Sequence, residues 1–118
     1  MGQPVVHFEI GCRNAAKTQD FYAKMFDWKI EPYGPAGMIS TGQSTGIQGH
    51  INCLGHEPHN YVLVYVQVDD LQAYIDKAGR MGGKLLVPAT DVPGMGRFAW
   101  IADPEGNTVG LWKPVARA

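Results

Sequence analysis

Apolar and polar side chains alternate from Val5 to Cys12. Val6, Phe8 and Ile10 share one face and His7, Glu9 and Gly11 the other, which is the signature of a half-buried strand. After Asn14 the period changes. Thr18, Phe21, Tyr22 and Met25 recur at helical spacing and predict an amphipathic helix with one apolar stripe, capped by Asn14 and ended at Phe26-Asp27-Trp28. Asp27 stands where a left-handed capping residue is expected, with some strain. Lys29–Pro32 begins a return strand. Two short strands follow at about Met38–Ser40 and Ile47–Cys53, within a stretch rich in Gly, Ser and Thr. In the second of these, Ile47, Gly49 and Ile51 share one face and Gln48, His50 and Asn52 the other.

The same order returns from Tyr61. Val62, Val64, Val66 and Val68 face one way and Leu63, Tyr65 and Gln67 the other. Asp70 caps a helix with Leu71, Tyr74, Ile75 and Ala78 on its buried stripe, and Gly82-Gly83 stops it. Strands are expected at Lys84–Val87, Arg97–Ala102 and Thr108–Lys113. They are joined by a Pro88–Gly96 loop and an Asp103-Pro104-Glu105-Gly106-Asn107 turn. At an offset of 56 residues Ile10 meets Val66, Cys12 meets Val68, Asn14 meets Asp70 and Met25 meets Met81.

Repetition of this kind fixes architecture before any single residue is interpreted. It predicts one α+β domain over residues 1–118 made of two tandem βαβββ modules. The first covers about 4–54, a linker 55–60, and the second about 61–114. Placed side by side, two sheets each covered by one helix curve around a trough that needs a ligand or another subunit to fill it.

The chain has 118 residues, 45% apolar and 18% charged, with a net charge of −1. That balance offers no electrostatic footprint for nucleic acid or an anionic membrane. No apolar run reaches the length of a membrane span, and Met1–Pro4 leads directly into a strand with no signal-peptide pattern. Cys12 and Cys53 lack metal or redox spacing and read as reduced thiols, so a cytoplasmic location is expected.

Several segments in order carry a family resemblance. They are His7-Phe-Glu-Ile10, Phe21-Tyr22, Phe26-Asp-Trp28, Val68-Asp-Asp-Leu71, Gly82-Gly-Lys84, Val92-Pro-Gly-Met-Gly-Arg-Phe98, Asp103-Pro-Glu-Gly-Asn107 and Gly110-Leu-Trp112. Over nearly its whole length the chain resembles the vicinal oxygen chelate superfamily, which includes glyoxalase I, bleomycin resistance proteins and extradiol dioxygenases. The resemblance implies a glyoxalase-like fold with a curved mixed sheet, a homodimer, and a divalent metal held by residues projecting into the trough. His7 matches the first ligand position of that metal site. Leu63 stands where the family usually has His or Gln, and Gly110 where it usually has Glu. The remaining position falls in Gln48-Gly-His50, with Gln48 and His50 both on the trough face.

Leu63 and Gly110 offer no donor, whereas a catalytic metal wants about three protein ligands and an open position. The expectation is therefore a small-molecule-binding protein without the full metal set. Its cavity would be lined by His7, Glu9, Gln48, His50, Leu63, Tyr65, Arg97, Gly110 and Trp112. His7 and Glu9 are the candidates for acid–base work, since a histidine is poised near neutral pH. One alternative is a metal-dependent lyase or dioxygenase that uses His7 and His50 with Glu9 as a non-standard ligand set. Another is a drug-sequestering resistance protein. Whether turnover occurs is left open. Phe98, Trp100 and Trp112 are either core or stacking surface, and Arg97 either clamps an anion or is solvated. His56 and His59 belong to a linker and are expected to be exposed, because H-x-x-H in a loop lacks the helical register of a zinc site.

Overall fold

In a computed structural model, residues 2–53 and 58–115 are described. The first repeat forms β1 (Val5–Gly11), α1 (Ala15–Phe26), β2 (Lys29–Tyr33), β3 (Ala36–Ser40) and β4 (Gln48–Asn52). β1 lies parallel to β4, and β4, β3 and β2 follow antiparallel, giving the order β2-β3-β4-β1. The second repeat forms β5 (Tyr61–Gln67), α2 (Leu71–Arg80), β6 (Lys84–Val92), β7 (Gly96–Ala102) and β8 (Thr108–Pro114). Its order, β5-β8-β7-β6, has the same parallel first pair and antiparallel remainder. The chain divides into two compact units, one of His7–Leu63 and the other of the residues before His7 with those from Val64 onward.

In the first unit the helix starts where Asn14 Oδ1 accepts a 2.9 Å hydrogen bond from the Lys17 amide. It ends on Asp27, which adopts φ 58° as the pattern predicted. Ile10, Cys12, Ile39 and Ile51 are buried beneath it with Phe8, Tyr22, Trp28 and Ile30 packed alongside. The expected stripe is only partly used. No residue of α1 is buried, and Phe21 and Met25 remain 58% and 61% exposed. The turn at Asp27 brings the Trp28 ring back against Tyr22 and Phe8, with centroids 5.7 Å away in both cases. Contact between helix and sheet therefore runs through Tyr22 and Trp28 rather than through the whole stripe.

In the second unit Asp70 Oδ1 accepts from the Ala73 amide at 3.0 Å and opens α2. Gly82, at φ 90°, turns the chain so that the Gly83 amide donates to Ala78 O at 2.8 Å. Leu71 and Ile75 join Val68, Ala99 and Leu111 in the core. Val62 and Val64, which alternate with Val66 and Val68, are 72% and 37% exposed. α2 packs on β6, β7 and β8, and Val66 and Val68 of the same alternating run join its core.

The expected Pro88–Gly96 loop is also mostly strand, since β6 continues to Val92. The ladder slips between Leu85 and Val87 and again between Val87 and Thr90. Pro88 sits in the second slip, where no ladder N–H is asked of it. The turn is closed by the Met95 amide donating to Val92 O at 3.0 Å. Asp103 Oδ1 accepts from the Glu105 and Asn107 amides, both at 2.9 Å, so that segment is turn chemistry. Among the described residues no helix is long and apolar enough to cross a membrane. Cys12 and Cys53 are free thiols.

Candidate functional site

The helix-free face of the first unit gathers polar side chains. In the parallel ladder His7 lies opposite Gln48 and Glu9 opposite His50. Pleating thus sends the alternate residues of β1 and β4 to one side, away from Phe8, Ile10 and Ile51. His7 Nε2 is 2.7 Å from His50 Nδ1, and the two rings stack with centroids 4.9 Å apart. His50 Nε2 is 3.0 Å from Oε1 of Glu9. The other carboxylate oxygen, Oε2, accepts a hydrogen bond from the Tyr61 phenol. Tyr61, Glu9, His50 and His7 thus form one hydrogen-bonded row. Glu9 is its anchor, at 2% exposure.

Charges in this row follow from its partners. A carboxylate only accepts, so the facing phenol and imidazole both donate to it. Burial, then the hydrogen bond to Glu9 and its negative charge, push the Tyr61 phenol far above its usual range, so it keeps its proton. Burial and the neighbouring His50 hold His7 down at about 4 against the opposing pull of Glu9. His7 is therefore neutral at physiological pH. An arrangement of this kind can accept or deliver a proton at His7 with a buried carboxylate behind it.

Tyr61 did not stand out in the sequence. Its counterpart at an offset of 56 is Val5, which marks nothing. The available signal was Gly11, a glycine inside a strand, which often marks a close approach. A Cβ on Gly11 would collide with the Tyr61 ring, and its absence lets that ring reach Glu9.

The other candidates divide. Gln48 shares the face but is spent on Thr41, accepting from its amide at 2.7 Å and donating to its hydroxyl at 3.0 Å. Leu63 is buried and apolar, at 4% exposure. His59, expected in solvent, is half-buried, and its carbonyl lies close to Gly11. His56 lies outside the described residues.

In the second unit Gly110 lies opposite both Tyr65 and Trp100, and a Cβ there would collide with the Tyr65 ring. The Trp100 indole donates to the Tyr65 hydroxyl at 2.9 Å, and Phe98 meets the same ring edge-on. Trp112 faces Phe98 and Gln67 across the ladder and closes over Gly96. These aromatics pack on one another. Arg97 does not join them. It shares its side of β7 with Ala99 and Ile101, which belong to the core under α2. It pairs with Asp91 at 2.7 Å, exposed, across the β6–β7 ladder. Alternation by single residues sends it to the face opposite Phe98, which removes it from the expected lining.

The family's metal does not fit this donor set. His50 uses one ring nitrogen on His7 and the other on Glu9, and both oxygens of Glu9 are engaged. Leu63 has no donor, and the place of a side chain at position 110 is taken by the Tyr65 ring. Among the described residues no group of three or more His, Cys, Asp or Glu is arranged to hold an ion. Three ligands around an open position cannot be drawn from these residues without breaking the row.

Comparison with known proteins agrees with the fold. The family described as Glyoxalase/Bleomycin resistance protein/Dioxygenase superfamily matches residues 5–111. The anthracycline biosynthesis protein DnrV of Streptomyces peucetius is 27% identical over 124 aligned positions, covering 90% of this chain and 45% of its own length. CFP32 of Mycobacterium tuberculosis, named as a glyoxylase, is 45% identical over 49 residues, which are 42% of this chain and 19% of that protein. The chain thus spans less than half the length of these curated relatives. Among solved structures, the hypothetical protein BH1468 of Bacillus halodurans superposes with TM-score 0.72 at 10% identity, over 100% of this chain and 99% of that one. Methylmalonyl-CoA epimerase of Mycobacterium tuberculosis does so with TM-score 0.64 at 15% identity, over 95% and 88%. With a family match over nearly all of its length and the paired βαβββ topology, the chain belongs to the Glyoxalase/Bleomycin resistance protein/Dioxygenase superfamily.

Proposed function

We propose that the protein binds a small organic molecule against the helix-free face of its first module, with His7 as the contacting polar group and without the metal set of its superfamily. The row Tyr61–Glu9–His50–His7 carries this reading, because it converts the donors that could have held an ion into a proton-bearing network. Any catalysis at such a site is acid–base chemistry by His7.

The test uses protein purified without chelators. Metal content is measured, and binding of two probes, an anthracycline and methylmalonyl-CoA, is followed by calorimetry in wild type and in His7→Ala. Saturable binding of either probe that is lost in His7→Ala, with metal below about a tenth of an equivalent, supports the reading. A stoichiometric metal whose removal abolishes binding would favour a lyase or dioxygenase with a non-standard ligand set. Binding that His7→Ala leaves intact would move the contact elsewhere.

This reading has the chain acting as a homodimer in the cytoplasm. Exposed Phe21, Met25 and Phe26 on α1 are apolar surface suited to a second copy, and the two free thiols suit a reducing compartment. Light scattering on the purified protein that returned a monomeric mass would count against the dimer.

A further inference from the structure

Two cysteines that share no spacing motif come to lie side by side in the first unit. We propose that Cys12 and Cys53 form a modification site, a dithiol that a hydroperoxide oxidises to a disulfide joining the ends of β1 and β4 within one chain. The inference is independent of the reading of the polar face, since both thiols lie on the other side of the same two strands.

Strand register brings the pair together. The last rung of the parallel β1–β4 ladder sets Gly11 opposite Asn52. The Cys12 amide then donates to Asn52 O at 3.1 Å, the bond by which a parallel ladder continues for one more residue. Cys12 therefore stands directly opposite Cys53. Neighbouring strands run about 4.8 Å apart, inside the Cα spacing of about 4.4–6.8 Å that a disulfide spans. Side chains that face one another in such a pair project to the same side of the sheet, here the side of α1. Cys12 is buried there with Ile10, Ile39 and Ile51, and Cys53 packs against that cluster. Burial raises the Cys12 thiol above its usual range, and the adjacent Cys53 adds to the rise against the opposing pull of Thr18.

Access separates the two roles. Cys12 is 3% exposed, whereas Cys53 is half-buried and its thiol donates to Arg13 O at 3.0 Å. Cys53 is therefore the sulfur that an oxidant meets first, and Cys12 the sulfur that resolves the product. In the first step the Cys53 sulfur attacks one oxygen of hydrogen peroxide. The O–O bond breaks, and a sulfenic acid and one water form. In the second step the Cys12 sulfur attacks that of Cys53. The S–S bond forms as the S–O bond breaks, and the Cys12 proton leaves with the hydroxyl as a second water. The two thiols give up two electrons and two protons, and the peroxide takes up both.

Reduced protein is exposed to hydrogen peroxide under native conditions, and the product is followed by thiol titration, intact mass and peptide mapping. Free thiols should fall from two to none in a single chain lighter by two hydrogens, with Cys12 linked to Cys53. Dithiothreitol should restore the starting mass. Cys12→Ala should stop at a sulfenic acid on Cys53 that dimedone traps, and Cys53→Ala should leave Cys12 reduced at the same dose. The bridged protein should melt no lower than the reduced one, because the bridge joins residues already opposed in the fold. Thiols that stay reduced, or oxidation that ends in sulfinic acid or in a link between two chains, would overturn the inference. A bridge that lowers the melting temperature would do the same, since it would have formed outside the native register. Oxidation of Cys12 in Cys53→Ala at the wild-type rate would overturn the assigned order of attack.

Discussion

His50 Nε2 lies 3.0 Å from Glu9 Oε1, and that contact joins two strands, β1 and β4, through a carboxylate that is almost wholly buried. Removing the acceptor should therefore cost more than one hydrogen bond, because the His50 N–H and the Tyr61 O–H lose their partner together. Glu9→Leu is expected to destabilise the fold by about 3 kcal/mol in urea denaturation, and Glu9→Gln, which keeps one acceptor, by about half of that. A loss under about 1 kcal/mol for Glu9→Leu would mean that the row does not hold the sheet.

The pH dependence of stability has a definite sign. His7 has its proton affinity lowered by folding, from 6.5 to about 4. Between those values the unfolded chain binds the proton and the folded chain does not, so its contribution to stability rises with pH. It is fully present above 6.5 and is lost as pH falls toward 4. Denaturation midpoints measured across that window should climb with pH in wild type. The climb should flatten in His7→Gln. An unchanged slope in the variant would assign the effect to another group.

Gly110 is where the superfamily usually carries a ligand carboxylate, and here it is where the Tyr65 ring rests. Gly110→Ala should cost about 1–3 kcal/mol, since an added methyl in a packed site forces the ring to move. Tyr65→Ala should relieve most of that penalty, so the double variant will be more stable than the sum of the single ones predicts. Strict additivity by thermal denaturation would show that the ring is not what excludes a side chain there.

Asp27 holds a left-handed conformation at the end of α1, and it is exposed. Asp27→Gly should raise stability by about 0.5–1 kcal/mol because glycine adopts that backbone without a Cβ penalty. A neutral or negative result would reveal a role for the carboxylate in capping.

Arg97, despite sitting in a glycine-rich stretch that looked like a loop, pairs with Asp91 on the helix side of β7. Arg97→Ala should change stability by less than about 1 kcal/mol, as expected of an exposed pair. It should leave probe binding unchanged. Loss of binding in calorimetry would return Arg97 to the site.

The repeat, both helix caps, the left-handed turn at Asp27 and the faces of β1 and β4 were all legible in the sequence. Each depends on residues within one turn or one strand of each other, and local backbone preference sets them. The departures came where one element met another. Phe21 and Met25 have helical spacing, yet Trp28 took the contact with the sheet. Val62 and Val64 alternate with Val66 and Val68, yet they are exposed where the latter two pack in the core. Pro88 read as a loop and instead lies in a bulged strand.

For the site, alternation put His7, Glu9, Gln48 and His50 on one face from sequence alone. That Leu63 and Gly110 bring no donor to two of the family's ligand positions is likewise read from the sequence. Only the tertiary structure showed that Glu9 reaches His7 through His50, that Tyr61 closes the row, and that Gln48 is spent on Thr41. Those partnerships join residues 7, 9, 41, 48, 50 and 61, drawn from separate strands and a loop. Their hydrogen bonds are set by strand register and by glycines that let rings approach. No local pattern encodes either, because both exist only once the strands have paired.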